Sequence, residues 1–185
     1  MSGLILLALI VLAGLWAVSI FNGLVRRKTM VAEAWSGIDV QLKRRSDLIP
    51  NLVETVKGYA SHERETFDEL ARLRSAGQSQ GDIAQRAETE TAITAAIGKV
   101  MAVAEAYPEL KASANFQELQ KELSDIEDQI QLARRYYNGI VREFNVMIGQ
   151  FPSDVVANVG GFKPAPFFQI EDEADRRVAK LSYSG

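Results

Sequence analysis

Apolar residues along this chain fall into one unbroken block and three periodic stretches. Leu4 to Val25 carry no ionisable side chain, and at 1.5 Å rise per residue such a helix covers roughly 30 Å, the thickness of a bilayer's hydrocarbon core. From Val31 onward the apolar positions step by threes and fours through Trp35, Ile38, Leu42, Arg45, Ile49, Leu52, Val56 and Tyr59, then across Glu63 and Thr66 to Leu70 and Leu73. That spacing predicts one long helix packed on other helices and ending near Ser75, where AGQSQGD supplies turn residues. Asp82 is the expected N-cap of a second helix through Ile83, Ile93, Ile97, Val100 and Ala104. A third is predicted from Asn115, paired with Glu118 at capping-box spacing, through Phe116, Leu123, Ile130, Tyr137 and Phe144 to Phe151, with Pro152 and the glycines at 160 and 161 closing it.

The predicted class is all-α. An N-terminal transmembrane helix is followed by an elongated antiparallel bundle of three to four long helices, running up, down and up because short connections join antiparallel neighbours. The division expected is 1–25 for the transmembrane segment, 26–160 for the bundle and 161–185 for an irregular tail, with a short helical turn at SDVVANV. No breaker separates the span from the first bundle helix.

A cleaved signal peptide is the competing reading of the N-terminus, since Ala17-Val18-Ser19 resembles a small-x-small cleavage site. The MSG preceding the span has no basic side chain and the apolar run continues past that site, which favours an anchor. Arg26, Arg27 and Lys28 follow the span, and Lys43, Arg44 and Arg45 lie farther along the same helix. This excess places the helical domain on the cytoplasmic side. These bases, Arg26, Arg27, Lys28, Lys43 and Arg44, are also candidate contacts for acidic lipid headgroups.

Composition narrows the chemistry. The chain has 185 residues, 47% hydrophobic and 24% charged, with a formal charge of -3 and no cysteine. Thiolate metal sites, disulfides and cysteine nucleophiles are thereby excluded, and nothing in the charge attracts nucleic acid. The sole histidine, His62 in HERET, has Thr66 where a zinc-binding helix needs its second imidazole. A di-iron carboxylate bundle requires two Glu-x-x-His pairs. Serine triads lack a base beyond His62 and lack the G-x-S-x-G turn, and no phosphate-cradling glycine loop is present. Glu171, Asp172, Glu173 and Asp175 lack the alternation of a calcium loop and read as a solvated tail. No enzyme and no cofactor are expected.

Two positions break the apolar pattern from within. Arg45 occupies a seam position, which predicts a buried stem and a guanidinium paired to a carboxylate, with Glu127, Asp125 and Glu105 as candidates. Pro50 lies in the first helix, where proline removes a backbone donor. A kink or restart is expected there, with Ser46 or Asp47 satisfying the backbone groups at the break. Tyr137 falls on the seam and reads as core, and Tyr107-Pro108 as the end of a helix.

The blocks QLKRRSDLIPNLVETVKGYASHE, AEAYPELKASANFQELQKELSDIEDQI, ARRYYNGIVREFN and QFPSDVVANVGGFKPAPFFQ, in this order after an N-terminal span, resemble the LemA family of bacterial membrane proteins. The likeness runs from Leu4 to about Phe168, omitting the 75–90 connection. It implies a single-pass protein of the bacterial inner membrane with a bundle of long antiparallel helices and no established enzymatic activity, and it places Pro50 within an Arg-Arg-x-Asp-Leu-Ile-Pro-Asn-Leu block. The partners expected are membrane lipids, further copies of the chain, and an unidentified membrane protein. The function expected is that of a non-enzymatic anchored scaffold, with lipid binding or membrane remodelling as the alternative.

Overall fold

A computed structural model describes residues 1–169, and among these the regular structure is helical. Six helices follow one another: α1 (Ser2–Lys57), α2 (Arg64–Ser79), α3 (Ile83–Glu105), α4 (Pro108–Lys111), α5 (Ala114–Gly149) and α6 (Ser153–Val159). The chain divides into two compact units. Among the described residues, Met1–Asp39 and Leu132–Phe167 form the first, and Val40–Gln131 with Phe168 and Gln169 form the second. Helices α1 and α5 contribute to both.

The apolar block and the residues after it form a single helix, as the lack of a breaker implied. None of the most apolar part of α1 is covered by the rest of the protein, so these side chains face outward all round. Within the first unit, full burial begins at Leu24, which packs on Phe144 of α5 and Ala157 of α6.

In the second unit the helix expected to reach Ser75 stops at Lys57. Gly58, a weak helix former, starts a turn in which the amides of Tyr59 and Ala60 both donate to the Val56 carbonyl (3.0 and 2.9 Å) and that of Glu63 to Ala60 (3.2 Å). The chain then doubles back as α2. Phe67 and Leu70 join Ile49, Leu52 and Val56 in one core, completed by Ile93, Ala96 and Val100 of α3 and Phe116 and Leu123 of α5. Each such aliphatic or aromatic side chain contributes about 1.5 to 3 kcal/mol on burial. The order is therefore up, down, up and down over four helices, rather than up, down and up over three.

Helix starts follow local chemistry. Asp82 caps α3 by accepting from the Ala84 and Gln85 amides (3.0 and 2.9 Å), as its sequence position predicted. Asn115 does not cap α5, which begins one residue earlier with the Ser113 carbonyl accepting the Gln117 amide. Tyr107 is extended and Pro108 opens α4, where a proline's missing donor costs nothing.

Candidate functional site

Arg45 is the most deeply buried ion of the second unit, 1% exposed. Its Nη2 donates to Glu90 Oε2 (2.5 Å), and its Nη1 donates to Glu127 Oε2 (2.6 Å) and to the Thr94 hydroxyl (2.8 Å). Glu90 also forms an ion pair with Arg86, whose Nε lies 2.8 Å from Glu90 Oε1, so two guanidinium groups meet two carboxylates. A fork with several fixed donors suits this arrangement in a way that a lysine does not. The charges cancel within the set, which makes it a device for joining α1, α3 and α5. Glu127 was among the expected partners. Asp125 and Glu105 do not reach Arg45, and Glu90 was not anticipated.

Helix α1 continues through Pro50 without restarting. A proline at 50 cannot donate to the carbonyl four residues back, which belongs to Ser46. That carbonyl instead accepts from Arg74 Nε of α2 at 2.7 Å, and Gln78 Nε2 donates to the Ser46 hydroxyl at 3.0 Å. The helix does not restart at Pro50: the freed acceptor lies on the main chain of Ser46, and another helix answers it. Asp47 takes no part and pairs with Lys43 one turn away (3.4 Å).

Lys43 is therefore engaged with a carboxylate. Arg44 donates to Gln41 (3.2 Å) and lines a hollow with Glu122, Asp125 and Asp128, surroundings that already answer its charge.

In the first unit the basic triad lies where α5 and α6 close around α1. Arg27 pairs with Glu143 of α5. Arg26 and Lys28 are exposed and have no carboxylate partner among the described residues. Lys28 Nζ stands 5.9 Å from the centre of the Phe162 ring, within cation–π reach. Beside it, an open cleft of about 430 Å³ separates Val25, Lys28, Thr29 and Ala32 from Gly160, Gly161 and Phe162.

The two glycines have distinct roles here. Gly161 has φ +68°, and the amides of Gly161 and Phe162 donate to Asn158 (3.2 Å) and Ala157 (3.0 Å), a Schellman ending for α6. This directs Phe162 onto Phe21 and Phe144, edge to face at 5.5 and 6.5 Å. Gly160 lies so close that a β-carbon would stand 2.7 Å from the Phe162 ring and 3.1 Å from that of Phe21. Beyond this turn, Asn145 pairs in both directions with the Ala165 backbone (2.8 and 2.9 Å). The Tyr137 hydroxyl donates to the Pro166 carbonyl (2.8 Å), and its ring meets Trp35 edge to face. Burial pushes the Tyr137 pKa up to about 12.

Phe162 and the buried Phe168 thus lie against protein, whereas Phe167 stays partly exposed. The acidic run Glu171, Asp172, Glu173 and Asp175 lies outside the described residues.

Comparison with known proteins gives a family match over residues 34–183, described as the LemA family. The chain belongs to the LemA family. It is 31% identical to Protein LemA of Metamycoplasma hominis over 82% of this chain and 69% of that protein. It is 26% identical to Magnetosome protein MamQ 2 of Paramagnetospirillum magneticum and to Magnetosome protein MamQ of Magnetospirillum gryphiswaldense, over 77% of this chain in each case. The aligned region spans 62% of the length of each MamQ protein.

In this LemA-family chain the matched region includes Arg45, Glu90, Glu127, Ser46, Pro50 and Arg74, and it starts after the apolar block and the basic triad. Glu90 had a signal in the sequence, because it stands one helical step of three before Ile93 and a heptad before Ile97, on the apolar seam of α3. Arg74 had none: its role depends on α2 turning back along α1.

Proposed function

We propose that this chain is a single-pass, membrane-anchored scaffold without catalytic activity, its helical units on the cytoplasmic side of a bacterial inner membrane, where it associates with further copies of itself or with another membrane protein. The observation that carries this reading is the state of α1. Its apolar stretch is covered by nothing in the protein, yet the same unbroken helix goes on to supply Leu24, Ile38, Leu42, Ile49 and Leu52 to the buried interior. Such a helix couples whatever the units bind to a fixed point in the membrane. The buried ionic groups support the non-catalytic part, since Arg45, Arg86, Glu90 and Glu127 form ion pairs with one another that join helices.

Crosslinking and size determination of the full-length protein in native nanodiscs tests the scaffold reading, with identification of what co-purifies. A defined homo-oligomer or one reproducible membrane partner is the expected result. A monomer with neither contradicts it.

A second reading, lipid binding or membrane remodelling, draws support from Arg26 and Lys28, which present uncompensated charge beside the cleft at the end of the span. Lys43, paired with Asp47, and Arg44, beside Glu122, Asp125 and Asp128, add little to it.

A further inference from the structure

We infer that α6 and the chain leading into it form a second membrane contact, an apolar ledge seated in the interfacial layer of the bilayer beside the α1 span. This rests on the anchored reading above and adds a surface to it.

Val155 and Val159 stand four residues apart on α6 and are 55% and 88% exposed, and Phe151, in the turn that leads into α6, is 78% exposed. Residues four apart share a helix face. The opposite side is spent on the protein, where Val156 and Ala157 pack against Leu24 and Phe144. The polar groups of the first turn also turn inward. The Ser153 hydroxyl donates to the Met147 or Gln150 carbonyl (2.6 and 2.8 Å), and Asp154 Oδ1 is shielded from solvent. The apolar side chains of Val155 and Val159, with Phe151 in the preceding turn, are thus left exposed. Val146 of α5, 57% exposed, adds to the apolar surface of this unit.

The level of this face along α1 identifies its occupant. Gly160 and Phe162 lie against Phe21, Met147 approaches Gly23, and Ala157 packs on Leu24. These α1 residues make up the last turn of the apolar block, which ends at Val25, directly before Arg26. With residues 4–25 across the hydrocarbon, the residues beside Phe21 to Leu24 stand within about one helical turn, roughly 5 Å, of its edge. An interfacial helix buries its apolar face about 5 to 10 Å into the boundary between headgroups and acyl chains. The cations fit the same placement: Arg26, Lys28 and Lys163 are exposed in this unit, where acidic headgroups would meet them. A bilayer that holds the end of the α1 span therefore also reaches the exposed side of α6.

The absence of native cysteine allows single nitroxide labels at introduced cysteines. Full-length Val155→Cys and Val159→Cys proteins, in nanodiscs of phosphatidylethanolamine and phosphatidylglycerol, would be compared with Leu9→Cys in the span and Lys121→Cys on an exposed surface of α5. Power saturation against oxygen and a water-soluble nickel chelate reads the depth of each label. The expected result is a severalfold higher oxygen-to-nickel collision ratio at 155 and 159 than at 121, approaching that at 9. Ratios at 155 and 159 equal to that at 121, with 9 immersed, overturn the ledge and leave the anchor standing. Low collision with both reagents together with spin–spin broadening between chains overturns it in favour of a second copy on this face. An aqueous ratio at 9 overturns the anchored reading itself.

Discussion

Replacing Arg45 with alanine tests whether its ion set holds the second unit together. The side chains of Arg45 and Glu90 are 2% and 3% exposed, that of Glu127 32%. Removing one member of a buried pair costs about 3 to 5 kcal/mol, because the remaining charge stays desolvated without its partner. Here Glu90 keeps Arg86, so Arg45→Ala belongs at the lower end of that range, near 3 kcal/mol, with loss of the packed stem included. Glu90→Ala belongs at the upper end, since it strips a carboxylate from two buried guanidinium groups at once. Glu127→Ala, at the wetter edge, costs about 1 kcal/mol. Arg45→Lys falls between wild type and Arg45→Ala, because an ammonium keeps the charge and loses the fork. Urea unfolding of the full-length protein in mild detergent, followed by circular dichroism, reads these as midpoint shifts. With a slope of roughly 2 kcal/mol per molar, Arg45→Ala lowers the midpoint by about 1.5 M. Hydrogen exchange locates the loss in α2 and α3 and leaves residues 132–149 protected. The order Glu90 > Arg45 > Glu127 is the part of the result that geometry alone dictates. A shift below about 0.5 M for both Arg45→Ala and Glu90→Ala, or a Glu127→Ala effect larger than either, would refute the reasoning.

Two further predictions follow from the backbone and the aromatic contacts. Arg74→Ala leaves the Ser46 carbonyl without its donor and costs about 1 to 3 kcal/mol; in that background Pro50→Ala recovers part of the loss by restoring the amide that α1 itself lacks, a coupling that a double-mutant cycle in urea measures. Tyr137 ionises near 12 in the folded protein against 10 for the free side chain, so folding favours its neutral form. That stabilisation is complete below pH 10 and falls away as pH rises from 10 towards 12, which ultraviolet titration detects as one late phenolate absent from Tyr137→Phe.

Much of this architecture can be read from residue spacing. The apolar block, the seam positions of Leu42, Arg45, Ile49 and Leu52, the Asp82 cap and the core place of Tyr137 all follow from periodicity and local hydrogen-bonding chemistry. The hairpin at residues 58–63 does not. Its apolar positions, Tyr59 to Leu70, resume close to the phase they had before, so the pattern of a continuing helix and that of two helices folded on each other coincide there. Pro50 was visible as an anomaly, yet its resolution required that hairpin, because Arg74 reaches Ser46 only once α2 runs back along α1. The charged seam residue Glu90 could have been found by asking which acidic side chain interrupts the apolar face of α3. Phe151, Val155 and Val159 gave no sign of belonging beside the membrane, since nothing short of the Schellman turn and the packing of Ala157 on Leu24 brings them level with the end of the span.

Both the anchored scaffold and the interfacial ledge require that α1 remains attached and holds the protein in a membrane. Intact-mass measurement of the full-length protein after cell fractionation and carbonate washing decides this directly. The account predicts that the chain stays in the membrane fraction at a mass that includes residues 4–25. A washed-off chain, or one whose mass shows cleavage after Ser19, would contradict it.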